Sequence, residues 1–275
     1  MAAKEGGKRR AGGRQAQAGP AAPRGLDPVH GVHAVETLFD SGHWPSELWL
    51  QEGRARERLE HLIARAVEQG VRIEQVARER LDAVAEGAHQ GVVAFCPPLV
   101  AENEASLFWH LEAQKQEAPL LLVLDGVTDV HNFGACLRSA AAAGAVGVVV
   151  SRDRSAPLNA TVRKIACGGA EGLPVYQVTN LARTLARLRD EAGLTVVGAA
   201  GEARVSLYDA ELSGPLALVM GAEGKGLRPL TRERCDVLVK LPMAGQVSSL
   251  NVSVATGICL FEAVRQRAER LASRP

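Results

Sequence analysis

Apolar and polar positions along the chain fall into blocks whose period changes, and each change marks a new element. Leu59, Leu62, Ile63, Ala66 and Val67 recur at steps of three and four, the signature of a helix with one buried face, and Gly70 follows where a left-handed C-cap closes it. Before it, residues 34–39 read as a helix and 47–51 as a strand; after it, a strand over 71–76, a short helix over 80–85 and a strand over 91–95 complete a small α/β unit. Pro97-Pro98 stops regular structure, and the polar run 101–118, with a helical turn around Leu107–Leu111, reads as a connector. Beyond it, short strands over 120–124, 147–151, 175–178, 194–199, 216–220 and 237–241 alternate with helical segments, which predicts a mostly parallel sheet covered on both faces. In the last helix Val254, Ile258, Phe261, Val264, Ala268 and Leu271 recur at three or four, so this stripe is expected to face the core, with a dimer-facing helix as the second reading.

Composition sharpens this outline. The formal net charge of +1 hides an asymmetry, because residues 1–25 carry Lys4, Lys8, Arg9, Arg10, Arg14 and Arg24 against Glu5. That segment is otherwise Gly, Ala, Pro and Gln, too little apolar surface to offset the entropy of ordering it, so 1–27 is expected to be a disordered basic tail. The remainder is slightly acidic, which argues against wholesale electrostatic wrapping of nucleic acid and leaves local, shaped RNA binding. Cys96, Cys136, Cys167, Cys235 and Cys259 lie far apart without a Cys-x-x-Cys pair, so neither a disulfide framework nor a zinc site is expected. No run approaches the roughly 20 apolar residues of a membrane span, and no secretory apolar core opens the chain. A cytoplasmic protein without a metal follows, divided into the tail, a unit over 28–98, a linker over 99–117 and a unit over 118–275.

Ligands of open parallel sheets bind beyond the carboxyl ends of the strands, and three strand ends here carry chemistry. The first is 124–138, where an apolar run meets Asp125 and Gly126, Asn132 is placed to cap the next helix, and Arg138 adds a permanent positive charge near that helix's start. The bland readings are a plain cap and a surface ion pair, and His131 reads as a turn residue. The second, 218–227, runs a strand into Gly-x-x-Gly-x-Gly around Glu223. It matches neither the dinucleotide fingerprint nor the phosphate loop, which disfavours a dehydrogenase or a common Rossmann methyltransferase. The third, 241–255, crosses a small-residue loop into the last helix and places Ser248, Ser249, Asn251 and Ser253 within six positions, more polar groups than capping needs.

In this order and spacing the three segments resemble the motifs of the SpoU class of SPOUT RNA methyltransferases, and the resemblance extends from about Pro28 to the end. The stretches 29–36, 47–51 and 89–94 are similar to the L30e-like substrate domain of those members that methylate a guanosine ribose in the P-site loop of 23S ribosomal RNA. The resemblance implies an L30e-like α/β domain followed by a trefoil-knotted α/β domain, an exception to the near absence of knots. It also implies S-adenosylmethionine as methyl donor, held at Gly201, Gly221, Leu241, Met243 and Leu250, and an obligate homodimer. The catalytic set it implies is Asn132 and Arg138 from the first motif, Glu223 from the second, and Ser249 and Asn251 from the third. One departure is the run 139–144, alanine-rich where family members often carry an aspartate. Methylation of transfer RNA or of another ribosomal position, and a noncatalytic RNA-binding assembly factor, are the competing expectations.

Overall fold

The computed structural model describes residues 22–53, 59–85, 87–113 and 118–273. The expected basic tail lies almost wholly outside them. The first unit runs β1 (Asp27–His30), α1 (Val32–Asp40), β2 (Glu47–Gln51), α2 (Glu60–Glu68), β3 (Arg72–Val76), α3 (Arg78–Val84) and β4 (Val92–Cys96). Its four strands form a sheet in the order β1-β4-β2-β3, with β4 antiparallel to both neighbours. Leu59, Leu62 and Ala66 bury against it, and Gly70 takes a left-handed φ of 68° after α2. Val67, expected on the same face, is 64% exposed, because a nine-residue helix touching the sheet along one stripe leaves its neighbour in solvent.

The segment expected to be a connector instead opens the second unit. β5 (Glu102–Asn103) pairs with a strand of the large sheet and α4 (Glu104–Ala113) buries Leu107 and Leu111. Then follow β6 (Leu120–Asp125), α5 (Val130–Ala142), β7 (Gly147–Ser151), α6 (Ala160–Ala166), β8 (Val175–Val178), α7 (Leu181–Asp190), β9 (Thr195–Ala199), β10 (Val205–Ser206), β11 (Leu216–Gly221), α8 (Pro229–Glu233), β12 (Val237–Lys240) and α9 (Val252–Ala272). The eight strands order as β10-β12-β9-β11-β6-β7-β8-β5, and each pairing between them is parallel.

Period-two alternation explains why the central strands read as unbroken apolar runs. In β6, Leu120, Leu122 and Leu124 pack into the cluster under α5, α6 and α9, whereas Leu121 and Val123 pack with Leu107, Leu185 and Leu188 on the other face. Each such side chain contributes about 1.5–3 kcal/mol by leaving water. The buried thiols Cys136 and Cys259, where α5 meets α9, are pushed up to about 11 and about 12 by loss of solvent, so both stay protonated near neutrality.

The expected core stripe of α9 is a correction. Of that stripe Ile258 does pack against the core, but the buried residues are Val252, Thr256, Cys259, Leu260, Glu262 and Ala263, whereas Val254, Phe261 and Leu271 are 51%, 49% and 65% exposed. Thr256 is tolerated inside because its hydroxyl donates to the Val252 carbonyl at 2.7 Å.

The two units meet at α6. Arg163, 6% exposed, donates to Glu171 at 2.9 Å, to Asp27 of β1 at 3.3 Å and to the Pro97 carbonyl at 2.8 Å. Beside it Gly168, at φ 85°, lies so close to Thr37 of α1 that no side chain fits there.

Candidate active site

The helix α5 begins one residue after Asp129, not at Asn132 as expected. Asp129 is the N-cap, and its carboxylate accepts from the amides of His131 at 2.6 Å and Asn132 at 3.4 Å. The Asp129 carboxylate satisfies these first amides and complements the positive end of the helix. Asn132 moves into the first turn, and its side chain is released for longer-range work.

That work links the three motifs. Asn132 donates through Nδ2 to Glu223 Oε2 at 3.3 Å and accepts through Oδ1 from Asn251 Nδ2 at 2.9 Å. Asn251 caps α9, its Oδ1 accepting from the Ser253 amide at 2.9 Å and hydroxyl at 2.6 Å. The result is one directed chain, Ser253 to Asn251 to Asn132 to Glu223, in which every group donates toward the carboxylate and each bond polarises the next.

Glu223 is held by the loop after β11. Gly224 and Gly226 take φ values of 72° and 64°, and the Gly226 amide donates to the Ala222 carbonyl at 2.8 Å. The turn folds back so closely over Gly221 that the Gly226 backbone occupies the place a Cβ would need. Arg228 ties down its far end: its amide donates to Asp125 Oδ2 at 2.8 Å, its Nε to Asp125 Oδ1, and its Nη2 to Ser151 Oγ at 2.9 Å. Asp125 is 1% exposed. Sequence reasoning did not foresee this clamp, although the apolar run of β6 ending on an acid was its visible sign.

Two cavities adjoin the chain of amides. One, about 420 Å³, is lined by Gly201, Gly221, Leu241, Met243, Ser249 and Leu250. All five positions carried over for the donor line it, with Ser249 beside them. The other, about 640 Å³, opens on the far side of Ala222 and Glu223 and reaches Asp129 and Asn132. Among the described residues no group of three or more His, Cys, Asp or Glu converges.

Arg138 stands apart. It lies six residues beyond Asn132, about 240° around the helix, and takes no part in that chain. Its Nη1 donates instead to Cys167 Sγ at 3.5 Å, and its side chain is exposed. Cys167 presents that sulfur from a left-handed residue, φ 47°, just past α6.

The geometry is accompanied by clear relatives. Residues 119–261 match the profile of the SpoU rRNA methylase family, and residues 28–100 match that of the RNA 2'-O ribose methyltransferase substrate-binding domain. A Pseudomonas putida protein named 23S rRNA (guanosine-2'-O-)-methyltransferase RlmB is 58% identical over 245 residues, covering 88% of this chain and 97% of that protein. A Shewanella oneidensis protein of the same name is 56% identical over 247 residues, covering 88% and 98%. The SpoU methyltransferase AviRb from Streptomyces viridochromogenes, solved with the cofactor AdoMet, superposes with a TM-score of 0.70 at 27% identity, covering 89% of this chain and 92% of that one. Sheet order, site and relatives agree, and the chain belongs to the SpoU rRNA methylase family.

Proposed function

We propose that this protein methylates the 2'-oxygen of a guanosine ribose in the P-site loop of 23S ribosomal RNA, with S-adenosylmethionine as donor, in the cytoplasm and as a homodimer. The unit over 28–98 selects the RNA and the unit that β5 opens at Glu102 carries out the transfer. The observation that carries this reading is the chain from Ser253 to Glu223, which joins three separate strand ends beside a cavity of about 420 Å³. The relatives named 23S rRNA (guanosine-2'-O-)-methyltransferase span nearly the whole described chain.

The residues around that cavity suit the donor. Leu241, Met243 and Leu250 offer apolar surface to an adenine, and the bare backbone at Gly221 and Gly201 allows close approach and hydrogen bonding to adenine and ribose edges. Bound there, the donor supplies a methyl group on a positively charged sulfur.

The chain's own residues position the reaction and stabilise charge. Asn132, Glu223, Ser249 and Asn251 hold the donor loop and the ribose in line, and such orientation accounts for much of the acceleration in group transfer. A ribose hydroxyl must lose a proton as it attacks. A guanidinium is essentially always protonated, so Arg138 is not the base; it stabilises the oxyanion as it forms, and an RNA phosphate or a water accepts the proton. A thiol is a weak acceptor, so little holds Arg138 to Cys167 and the side chain is free to turn toward substrate.

The exposed stripe of Val254, Phe261 and Leu271 on α9 supports the homodimer, because an apolar row on the outside of a terminal helix marks an interaction surface. Incubation with labelled S-adenosylmethionine and unmodified 23S RNA, followed by mapping of ribose methylation, tests the whole reading. Label at one guanosine is expected. Label confined to transfer RNA refutes the substrate, and no label in any RNA refutes the enzyme in favour of an assembly factor.

A further inference from the structure

The second cavity shares a wall with the first. Ala222, Glu223, Gly226 and Val252 line both, so whatever occupies the larger space, about 640 Å³, meets the donor site across Glu223 and its partner Asn132. That volume lies within the range of cavities that enclose small ligands.

The charges around it are mostly committed. Asp125 is clamped by Arg228, whose guanidinium also reaches Ser151. Asp129 accepts the first amides of α5, and Glu223 accepts from Asn132. Two cations remain, Arg154 and Lys225; both are exposed, and neither forms a hydrogen bond or ion pair with another described residue. They sit on two different loops that flank Asn132. The loop of Arg154 is anchored by the Ala156 amide donating to the Val127 carbonyl at 2.9 Å, and Arg154 itself is held at φ 67°, a conformation that side-chain-bearing residues rarely adopt.

We propose that this cavity seats the target nucleotide, with Arg154 and Lys225 each binding a phosphate oxygen of the RNA strand on either side of the reacting ribose. The inference rests on the methyltransferase reading and names the part of the site that receives the substrate. Two phosphate contacts set the register of the strand and carry no base information, so the choice of sequence falls to the first unit.

The test uses the full-length protein with Arg154→Ala, Lys225→Ala and the double substitution. Both side chains are exposed and without partners among the described residues, so the variants keep their fold, checked by the melting temperature. Donor affinity is read by calorimetry, and KM, kcat and RNA affinity are read across a potassium chloride series with a 23S RNA fragment. Donor affinity stays at the wild-type value, and the loss falls on KM, roughly fivefold to tenfold per residue at moderate salt, more than on kcat. The slope of log affinity against log salt becomes shallower by about one per residue removed. An active wild type whose double variant keeps its KM and salt slope overturns the proposal alone, as does a fall in kcat with KM unchanged. A wild type that methylates no RNA overturns the methyltransferase reading itself.

Discussion

A single carboxamide, that of Asn132, accepts from one distant loop and donates to another, and it can do so because Asp129 has taken over the capping of α5. Arg138 on the same helix has no such network, which separates chemistry from stability at that position. Arg138→Ala is expected to lower turnover by about 10²–10³, the scale seen when a donor to a forming oxyanion is removed, while donor affinity and the melting temperature stay near wild type. Turnover within threefold of wild type refutes its role. The clamp between Asp125 and Arg228 behaves in the opposite way, because the two partners differ in burial: the acid's side chain is 0% exposed and the base's 37%. Arg228→Ala leaves a carboxylate buried without its counter-ion and is expected to cost about 3 kcal/mol, whereas Asp125→Asn leaves a cation that water can reach and costs about 1 kcal/mol. Urea titration of both variants checks the ordering, and equal losses exclude it. The residues of both networks stood plainly in the sequence, but the partners lie 91 to 119 positions apart and no local pattern joins them. The resemblance to a known family supplied Asn132, Glu223 and Asn251; nothing supplied Arg228.

At the scale of elements, the parallel strands were legible because a strand buried on both faces is a short continuous apolar run, as β6, β7 and β11 are. Helices with two apolar faces are harder. α9 carries one row through Val252, Thr256, Cys259 and Ala263 and another through Val254, Phe261 and Leu271, and periodicity alone favours the more hydrophobic of the two. The structure buries the row that contains a threonine, since the Thr256 hydroxyl satisfies itself on its own helix. In the proposed homodimer the outer row is the contact surface. Phe261→Glu is expected to convert the proposed dimer to monomer in sedimentation experiments with little change in the far-ultraviolet circular dichroism, because Phe261 is half exposed in the single chain. An unchanged dimer places the interface elsewhere. α4 shows a different difficulty: its hydrophobic and polar residues show little sidedness, so it read as a connector, yet Leu107 and Leu111 are buried and β5 extends the sheet.

For the molecule as a whole, the decisive contact is Arg163, which reads in sequence as one more cation on a short helix. It is buried, and it binds an acid of its own unit, an acid of the first unit and the carbonyl of Pro97 at the crossing between them. Arg163→Ala leaves Asp27 and Glu171 unpaired and is expected to cost about 3–5 kcal/mol and to let the two units melt separately. A single transition of unchanged midpoint in calorimetry excludes that role. There is a further consequence of the chain of amides that ends on Glu223. Of its members Asn132 leaves the ribosome first and Glu223 next, and Asn251, which joins Ser253 to them, follows the first by 119 residues. At roughly 5–20 residues per second, that interval is about 6–24 s. During it the emerging polypeptide has the sheet that carries the site but not the asparagine that completes it, so a product cut short before α9 is inert toward RNA however well the rest has folded. The enzyme becomes competent only once Asn251 has emerged and closed the chain onto Asn132.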